Sequence, residues 1–267
     1  MKVLTTGVDL DDFFMKLEKE KHNSVLFLDY DGTLAPFTTD RDNAVPYPGV
    51  VELLDKIIGS DVCRVVFITG RKAKDLLKLL NLKKFPEIWG SHGWERLMPD
   101  NRYFFETADP DAEKTLNSVQ EWLKREELFH LCEKKPAGIA LHWRGKQESE
   151  IRGINKRVKR KWVEGLLPDN LIIKDFDGGI EFMLSGKNKG FAVKQIISET
   201  RKDAITAYLG DDLTDEDAFR ALGDRGLKVL LRDHMRPTNA DVYLSAPEEL
   251  LLFLKAWMKA CLGSSHD

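Results

Sequence analysis

Short runs of apolar residues recur along the chain, and the first of them ends abruptly at Asp29. The clearest are residues 24–28, 64–68, 205–209 and 228–231, and another ends near Trp89. A run of four or five residues that is apolar at nearly every position, without alternation, is typical of a strand buried on both faces of a parallel sheet. The pattern therefore predicts a buried, mostly parallel β-sheet.

Segments with helical periodicity separate these strands. They cover residues 9–21, 48–58, 72–80, 190–199, a stretch from about 215, and 247–261. In the first of them, Leu10, Phe13, Phe14 and Leu17 recur on one helical face. Alternation of strand and helix predicts an α/β fold with helices on both faces of a doubly wound sheet.

The middle of the chain has a different pattern. We predict a helix capped by Asp109 and running to about residue 129, a strand at 137–143, a basic helix at 146–163, and a hairpin. The hairpin pairs residues 171–176 with 180–184 around a turn that contains Asp177. Mixed helices and antiparallel strands predict an inserted α+β cap at 106–182, between core segments 1–105 and 183–267.

Composition narrows the function classes. Lys plus Arg total 41 against 44 Asp plus Glu, so the chain has no overall field for holding nucleic acid. Three widely spaced cysteines predict buried, reduced thiols and no disulfide framework. The first residues do not resemble a signal peptide, and no apolar stretch reaches the roughly 20 residues that span a bilayer. We expect a cytoplasmic monomer without a membrane partner.

Polar residues follow directly after three of the predicted strands. They lie in the stretches DYDGT at 29–33, TGR at 69–71 and GDDLTD at 210–215. Each stretch alone fits a turn or a helix cap. The carboxyl ends of parallel strands converge, however, so Asp29, Asp31, Asp211, and Asp212 or Asp215 are expected to crowd together. Crowded carboxylates favour a hard cation with oxygen ligands, and Mg²⁺ fits best beside a phosphate.

These stretches resemble the motifs of the haloacid-dehalogenase-like phosphatases. VLFLDYDGTLAPF resembles the first motif of that superfamily, FITGR the second, Lys189-Gly190 the third and LGDDLTDEDAF the fourth. Together with GSHGWE at 90–95 and ALHWR at 140–144, they resemble the trehalose-6-phosphate phosphatase family more closely still. The resemblance extends over nearly the whole chain, and it implies a haloacid-dehalogenase-like core with a C2-type cap.

The resemblance implies Mg²⁺-dependent removal of phosphate from a sugar phosphate. Asp29 would be the nucleophile and Asp31 the general acid and base, with Lys189 and Thr69 holding the phosphoryl oxygens. The implied metal ligands are Asp29, Asp31 through its carbonyl, Asp211, Asp212 and Asp215. The implied substrate-binding residues are Thr69, Gly70, Arg71, His92, His142, Arg144 and Glu181.

The chain departs from the family pattern after Glu181. The family usually continues with a short aliphatic residue and Arg-Pro, whereas this chain continues with Phe182, Met183 and Leu184. Trehalose 6-phosphate is the first substrate hypothesis. Sucrose 6-phosphate and glycosyl-3-phosphoglycerate phosphatases, a sugar phosphomutase and a non-enzymatic sugar-phosphate sensor stay open as alternatives.

Overall fold

The computed structural model describes residues 1–38, 40–105, 110–165, 167–176 and 178–263. The chain forms two compact units, one of Met1–Phe105 with Asn188–Asp267 and the other of Glu106–Lys187. The sequence-based boundary at residue 182 falls inside a strand, and the second unit continues to Lys187. The expected helix cap Asp109 and the turn residue Asp177 lie outside the described residues.

The first unit is an α/β unit built on one nine-stranded sheet. Its strands are β1 (Lys2–Val3), β2 (Ser24–Leu28), β3 (Arg64–Ile68), β4 (Glu87–Gly90), β5 (Glu95–Leu97), β6 (Tyr103–Phe105), β11 (Ile205–Gly210), β12 (Leu227–Leu231) and β13 (Val242–Leu244). Its α-helices are α1 (Leu10–Lys19), α2 (Val50–Gly59), α3 (Ala73–Leu80), α6 (Lys189–Ser198), α7 (Asp215–Leu222) and α8 (Glu248–Leu262). Short 3₁₀ turns cover Lys21–Asn23, Arg41–Asn43, Ser91–Gly93 and Gly223–Arg225.

The sheet order is β1-β13-β12-β11-β2-β3-β4-β5-β6. Strands β13 to β4 in this order are parallel, whereas β1, β5 and β6 pair antiparallel at the two edges. From β2 the chain continues to β3 on one side, and it returns on the other side at β11. This reversal is a topological switch point, the place where open α/β sheets bind ligands.

The two faces of β2 belong to two separate hydrophobic cores. Leu26 and Leu28 pack in a core that also contains buried residues of α1, α2, α3 and α8. Val25 and Phe27 pack in the other core, with buried residues of α6 and α7. Alternate side chains of a strand point to opposite faces, so residues 25–28 of this central strand must all be apolar. The predicted doubly wound architecture is confirmed.

The second unit holds a four-stranded antiparallel sheet in the order β7-β8-β10-β9. Its strands are β7 (Cys132–Lys135), β8 (Gly138–His142), β9 (Leu171–Phe176) and β10 (Gly179–Leu184), and its helices are α4 (Pro110–Arg125) and α5 (Glu148–Val158). A 3₁₀ turn covers Phe129–Leu131, and a π-helical turn, Lys159–Val163, follows α5. Trp122, Trp162 and Phe182 form mutual edge-to-face contacts, which join α4 and the π turn to one face of the sheet.

The structure differs from the sequence-based expectation in several places. The helix expected at 146–163 begins at Glu148 and changes to π geometry at Lys159, and the helix expected to reach residue 129 ends at Arg125. Five short strands, β1, β5, β6, β7 and β13, were not expected. All five have at most four residues, too few to show a clear period of two.

The cysteines depart from the expectation of buried thiols. All three are free, but only Cys261 is buried, and Cys63 and Cys132 are partly exposed.

Within the described residues, no helix combines the length and apolar character that a membrane span needs.

Candidate active site

Asp29 is the first residue after β2, at the switch point of the sheet. Its backbone N–H donates to the carbonyl of Leu209 at 2.9 Å, so the strand pairing with β11 fixes the point at which the loop begins. The loop turns at Gly32, which has a φ of +82°. A Cβ on Gly32 would lie 2.3 Å from Asp211 Oδ2, so a glycine lets the loop pass close to the carboxylate that follows β11.

Lys189 begins α6 and reaches the Asp29 carboxylate. Asn188 caps the helix by accepting from the N–H of Phe191 at 2.9 Å. The Nζ of Lys189 lies 2.7 Å from Asp29 Oδ1 and 2.8 Å from Asp215 Oδ1, and its side chain is 3% exposed. Burial lowers the pKa of Lys189, but the two carboxylates outweigh burial and raise it above its ordinary value. The ammonium group is therefore charged and offsets part of the negative charge of the site.

Each of the two carboxylate oxygens of Asp215 accepts two hydrogen bonds from the protein. Oδ1 accepts from Lys189 Nζ and from the hydroxyl of Tyr208 at 2.7 Å. Oδ2 accepts from the backbone N–H groups of Asp211 and Asp212, at 3.1 and 3.0 Å. A carboxylate has about four lone-pair sites, so Asp215 is saturated by the protein and holds Lys189 and the loop after β11 in place.

Asp211 has the opposite character. It is fully buried, its Oδ1 accepts from Thr33 Oγ1 at 3.3 Å, and its Oδ2 is a buried oxygen without a hydrogen-bond partner. Burial first, and then repulsion from Asp29 and Asp215, raises the pKa of Asp211 well above its usual range. A buried acceptor of this kind is costly unless something pairs with it.

Asp29, Asp211 and Asp215 together form an acidic cluster, with one oxygen from each lying within 4.8 Å of the others. Burial raises the pKa of Asp29 to about 7 even though Lys189 opposes the shift. A divalent cation would relieve both the repulsion and the unpaired oxygen of Asp211, and carboxylate oxygens are the ligands that hard cations prefer. Asp29 and Asp211 fit a cation best, since Asp215 is saturated.

Two arginines that were not among the predicted site residues fix the loop after β11. Arg232 donates to the carbonyl of Asp211 at 3.1 Å, and Arg236 donates to the carbonyls of Asp211 and Asp212 at 3.2 and 2.8 Å. Both arginines follow β12, and no motif marks them. Thr33 and Tyr208 were also missed as site residues, although both lie in or beside the motifs.

The segment Thr69–Arg71 follows β3, as the sequence predicts. Thr69 is buried, and its hydroxyl accepts from the backbone N–H of Arg71 at 3.1 Å. The guanidinium of Arg71 binds Asp31 through two hydrogen bonds, from Nε to Oδ2 at 2.7 Å and from Nη2 to Oδ1 at 2.5 Å. Asp31 thus engages its carboxylate with Arg71, outside the acidic cluster.

His92 lies against the same segment. Ser91 and His92 both have left-handed backbones, with φ values of 47° and 57°. Such conformations store strain in residues other than glycine, and they persist where the surroundings enforce them. Their N–H groups donate to the carbonyls of Arg71 and Thr69 at 2.8 and 3.0 Å. A Cβ on Gly70 would lie 2.6 Å from His92 Nε2, so Gly70 permits this close approach.

The three remaining predicted residues belong to the second unit. Glu181 on β10 pairs with Lys135 at 2.9 Å, and both side chains are buried. His142 on β8 lies 3.3 Å from Glu133 Oε2, and Arg144 packs close to Gly178. The strand register places Glu133, Lys135, His142, Lys174 and Glu181 on the same sheet face, opposite Phe182. Lys135 and Glu133 were missed because they belong to a run of charged residues, 133–135, in a short strand that was not expected.

The chain is similar in sequence and in fold to proteins that are already known. The trehalose-phosphate phosphatase of Mycobacterium ulcerans is 30% identical over 249 residues, which cover 85% of this chain and 60% of that protein. The C-terminal domain of the C. albicans trehalose-6-phosphate phosphatase has a similar fold, with a TM-score of 0.77 at 20% identity, covering 97% of this chain and 99% of that one. A haloacid dehalogenase-like hydrolase from B. subtilis also shares the fold, with a TM-score of 0.62 at 16% identity, covering 87% and 99%.

The chain spans 60% of the length of the first curated relatives that it matches. The sequence profile of the family described as trehalose-phosphatase matches residues 27–248. That span begins within β2, directly before Asp29, and it includes Arg71, Lys189 and the acidic cluster. On the evidence of that match, of the sequence relatives and of the fold, the chain belongs to the trehalose-phosphatase family.

Proposed function

We propose that this chain is a divalent-metal-dependent phosphatase that uses Asp29 as a nucleophile on a sugar phosphate, with trehalose 6-phosphate as its substrate. One observation carries the proposal. A buried carboxylate, Asp29, lies 2.7 Å from a buried ammonium group and beside Asp211, whose Oδ2 is unpaired. This arrangement supplies a nucleophile, a fixed positive charge and a place for a cation, the three groups that phosphoryl transfer to a carboxylate needs.

The side chains of Asp29 and Asp211 would hold the cation, which we propose to be Mg²⁺. When bound, the cation would neutralise charge on the phosphoryl oxygens. Its charge would also lower the pKa of both carboxyls, opposing the effect of burial, and so keep Asp29 ionised at neutral pH. Mg²⁺ suits a site with few protein ligands, because it retains waters and accepts phosphate oxygens.

Lys189 makes the site accessible to an anion. Without its charge, a phosphate dianion would approach a cluster of three carboxylates. The ammonium group is fixed by Asp29 and Asp215, so it needs no reorganisation when negative charge develops on the phosphoryl group. We propose that Thr69, which is buried at the end of β3, donates its hydroxyl to a phosphoryl oxygen.

Asp31 is the proposed acid and base. It lies two residues after the nucleophile, and its side chain is 28% exposed, whereas that of Asp29 is 5% exposed. A partly exposed carboxyl beside the nucleophile can protonate the leaving sugar oxygen. It can then take a proton from the water that attacks the aspartyl phosphate.

The proposed substrate rests on family membership and on the second unit. The relatives carry the name trehalose-phosphate phosphatase. The polar sheet face defined by Glu133, Lys135, His142, Lys174 and Glu181 offers acceptors and donors for sugar hydroxyls. Phe182, which stands where the family usually has a short aliphatic residue, belongs to the opposite, apolar face and packs on Trp122. Met183, which stands where the family usually has Arg, lies on the same face as Glu181, so the polar face lacks that arginine.

Phosphate release in the presence of Mg²⁺ tests the proposal. The substrates would be trehalose 6-phosphate, sucrose 6-phosphate, a glycosyl-3-phosphoglycerate and glucose 6-phosphate. We expect turnover of trehalose 6-phosphate to exceed that of the others and to disappear with excess chelator. Asp29→Asn should abolish release, whereas Asp75→Asn, at a surface pair with Lys78, should leave it unchanged.

The outcomes separate mechanism from specificity. Preference for another sugar phosphate would keep the nucleophile assignment and replace the substrate. Substantial activity in Asp29→Asn would refute the nucleophile, and no release from any compound by folded protein would refute the phosphatase. The expected monomeric state and cytoplasmic location remain predictions.

A further inference from the structure

Arg71 restricts the orientation of the Asp31 carboxylate as well as balancing its charge. Two nitrogens of the guanidinium, Nε and Nη2, each donate to a different oxygen of the Asp31 carboxylate, at 2.7 and 2.5 Å. A fork of this kind restricts rotation of the carboxylate plane, which a single contact from an ammonium group does not do. The orientation of the Asp31 carboxyl is therefore set by Arg71.

Arg71 is itself held firmly. Its side chain is 5% exposed, and its guanidinium lies over the ring of Tyr30 at 5.6 Å from the ring centre. Tyr30 is fully buried, and its hydroxyl donates to the carbonyl of Ala44 at 2.5 Å. The aromatic face and the buried stem leave the guanidinium little freedom, so the fork can act as a rigid support.

The backbone of Arg71 is fixed from a second direction. Its carbonyl accepts from the N–H of Ser91, and its N–H donates to Thr69. Buried Glu95 links the two sides, since its carboxylate accepts from the Ser91 hydroxyl and from the backbone N–H of Ala73, the latter at 3.2 Å. The strained turn at Ser91 and the start of α3 are thereby joined behind Arg71.

We propose that Arg71 is a positioning residue that aims the Asp31 carboxyl at the leaving oxygen of the substrate. This inference rests on the proposed function. In an in-line displacement, the sugar oxygen departs from the side of phosphorus opposite Asp29, and the attacking water later arrives on that same side. Both proton transfers therefore occur at one place, and one fixed orientation of Asp31 serves both. In the first, the O–H proton of Asp31 passes to the sugar oxygen as the P–O bond breaks; in the second, the water proton passes to Asp31.

The leaving group provides the test. A sugar alkoxide needs a proton in order to leave, whereas p-nitrophenolate leaves without one. The quantity to compare is kcat/KM, which covers the steps up to loss of the leaving group. In Arg71→Met we expect kcat/KM for the sugar phosphate to fall about 10- to 100-fold, part of the 10²–10⁴ that a general acid provides. For p-nitrophenyl phosphate it should fall less than about threefold, since proton transfer then contributes little.

Two further variants serve as controls. One distinguishes the bidentate geometry of Arg71 from its charge, and the other distinguishes the position of Arg71 from the general effect of losing an arginine. Arg71→Lys keeps the charge and loses the fork, so it should show the same selective loss and should not restore wild-type activity. Arg64→Met removes an arginine from the opposite end of β3, where Arg64 pairs with Glu87 and Glu199. This variant should leave kcat/KM unchanged for both substrates. Combining Arg71→Met with Asp31→Asn should cost no more than Asp31→Asn alone, because the two residues act as one unit.

Three results would overturn the inference. An equal loss for both substrates would make Arg71 a phosphate-binding residue, and full activity in Arg71→Lys would show that charge alone matters. Additive losses in the double variant would show that Arg71 acts independently of Asp31. Wild-type protein that releases phosphate from neither substrate would refute the proposed function itself, and the inference with it.

Discussion

Replacing Asp211 by Asn should stabilise the metal-free protein. One oxygen each from Asp29, Asp211 and Asp215 lie within 4.8 Å of one another, and Asp211 Oδ2 has no hydrogen-bond partner. Coulomb's law with an effective dielectric constant of about 20 gives roughly 3.5 kcal/mol of repulsion for each ionised pair at that separation. Lys189 offsets part of this repulsion, and protonation relieves another part because the pKa of Asp211 is raised, so we expect a gain of about 2 kcal/mol in the free energy of unfolding.

Asp215→Asn is the matched contrast, because the same change at a neighbouring carboxylate should have the opposite sign. Each of its oxygens accepts two hydrogen bonds, and an amide has only one accepting side. Whichever way the amide turns, two buried donors lose their acceptor, and Lys189 loses a charged partner. We expect a loss of about 3–5 kcal/mol, the usual cost of breaking a buried ion pair.

Thermal unfolding with chelator and with Mg²⁺ measures both effects. For a unit of this size, 1 kcal/mol corresponds to roughly 2–4 °C, so Asp211→Asn should raise Tm by about 4–8 °C without metal. Mg²⁺ should raise the Tm of the wild type and leave that of the variant almost unchanged. A metal-free Asp211→Asn protein less stable than wild type would refute the repulsion argument, and an equal response to Mg²⁺ would refute Asp211 as a ligand.

The stabilisation that we expect from Asp211→Asn should also depend on pH. Burial raises the pKa of Asp29 from 3.8 to about 7, so its carboxyl is protonated at pH 5 and ionised at pH 8. A carboxyl whose pKa is raised by folding contributes stability that is present below its unfolded pKa and is lost as the pH rises through the folded value. Metal-free wild type should lose stability between pH 5 and 8, and Asp211→Asn should lose less. If the free energy of unfolding depended on pH equally in the two proteins, the electrostatic coupling between Asp29 and Asp211 would be contradicted.

Two further predictions concern close packing and thiol reactivity. Gly32→Ala places a Cβ 2.3 Å from Asp211 Oδ2 in a left-handed turn and should abolish phosphatase activity, while Gly59→Ala, with open space around it, should not. Alkylation at pH 8, followed by mass spectrometry, should label Cys63 before Cys132. The hydrogen bond with Cys261 lowers the pKa of the first thiol, and burial raises that of Cys132 to about 12.

Normal activity in Gly32→Ala would show that the loop can move away from the acidic cluster. Preferential labelling of Cys132 would show that exposure of that thiol outweighs its raised pKa. For the Gly32→Ala comparison to hold, the variant should first be shown to fold, with a free energy of unfolding lowered by no more than the roughly 1–3 kcal/mol that overpacking costs.

The central strands of the fold could be predicted from sequence because burial on both faces leaves a simple signature. Residues 24–28 and 64–68 were placed at the bounds that β2 and β3 have. The short strands β5 and β6 lack that signature, since they have three residues each and neither is a continuous run of buried apolar residues. Their positions depend on antiparallel pairing of β5 with β4 and of β6 with β5, which local sequence does not encode.

The proximity of Asp29, Asp211 and Asp215 could be predicted, but the different hydrogen-bond partners of each carboxylate could not. Asp211 and Asp215 look alike in sequence, as two acids after one strand. They differ because the hydroxyl of Tyr208 and two backbone N–H groups saturate Asp215 and leave Asp211 Oδ2 unpaired. The fork from Arg71 to Asp31 joins residues 40 positions apart, and no spacing rule predicts it.

The pairing of β2 with β11 has a consequence for how the protein is made. The N–H of Asp29 donates to the carbonyl of Leu209, and residues 106–187 of the second unit are translated between the two. At about 5–20 residues per second, the ribosome finishes β2 roughly 10–40 seconds before β11 emerges. During that interval one edge of an apolar central strand lacks its neighbour, which is the condition under which nascent chains aggregate or recruit chaperones. The strands of the second unit pair among themselves, so this unit can fold within the same interval. Its folding would shorten the flexible loop that must close when β11 pairs with β2, and so lower the entropic cost of that closure.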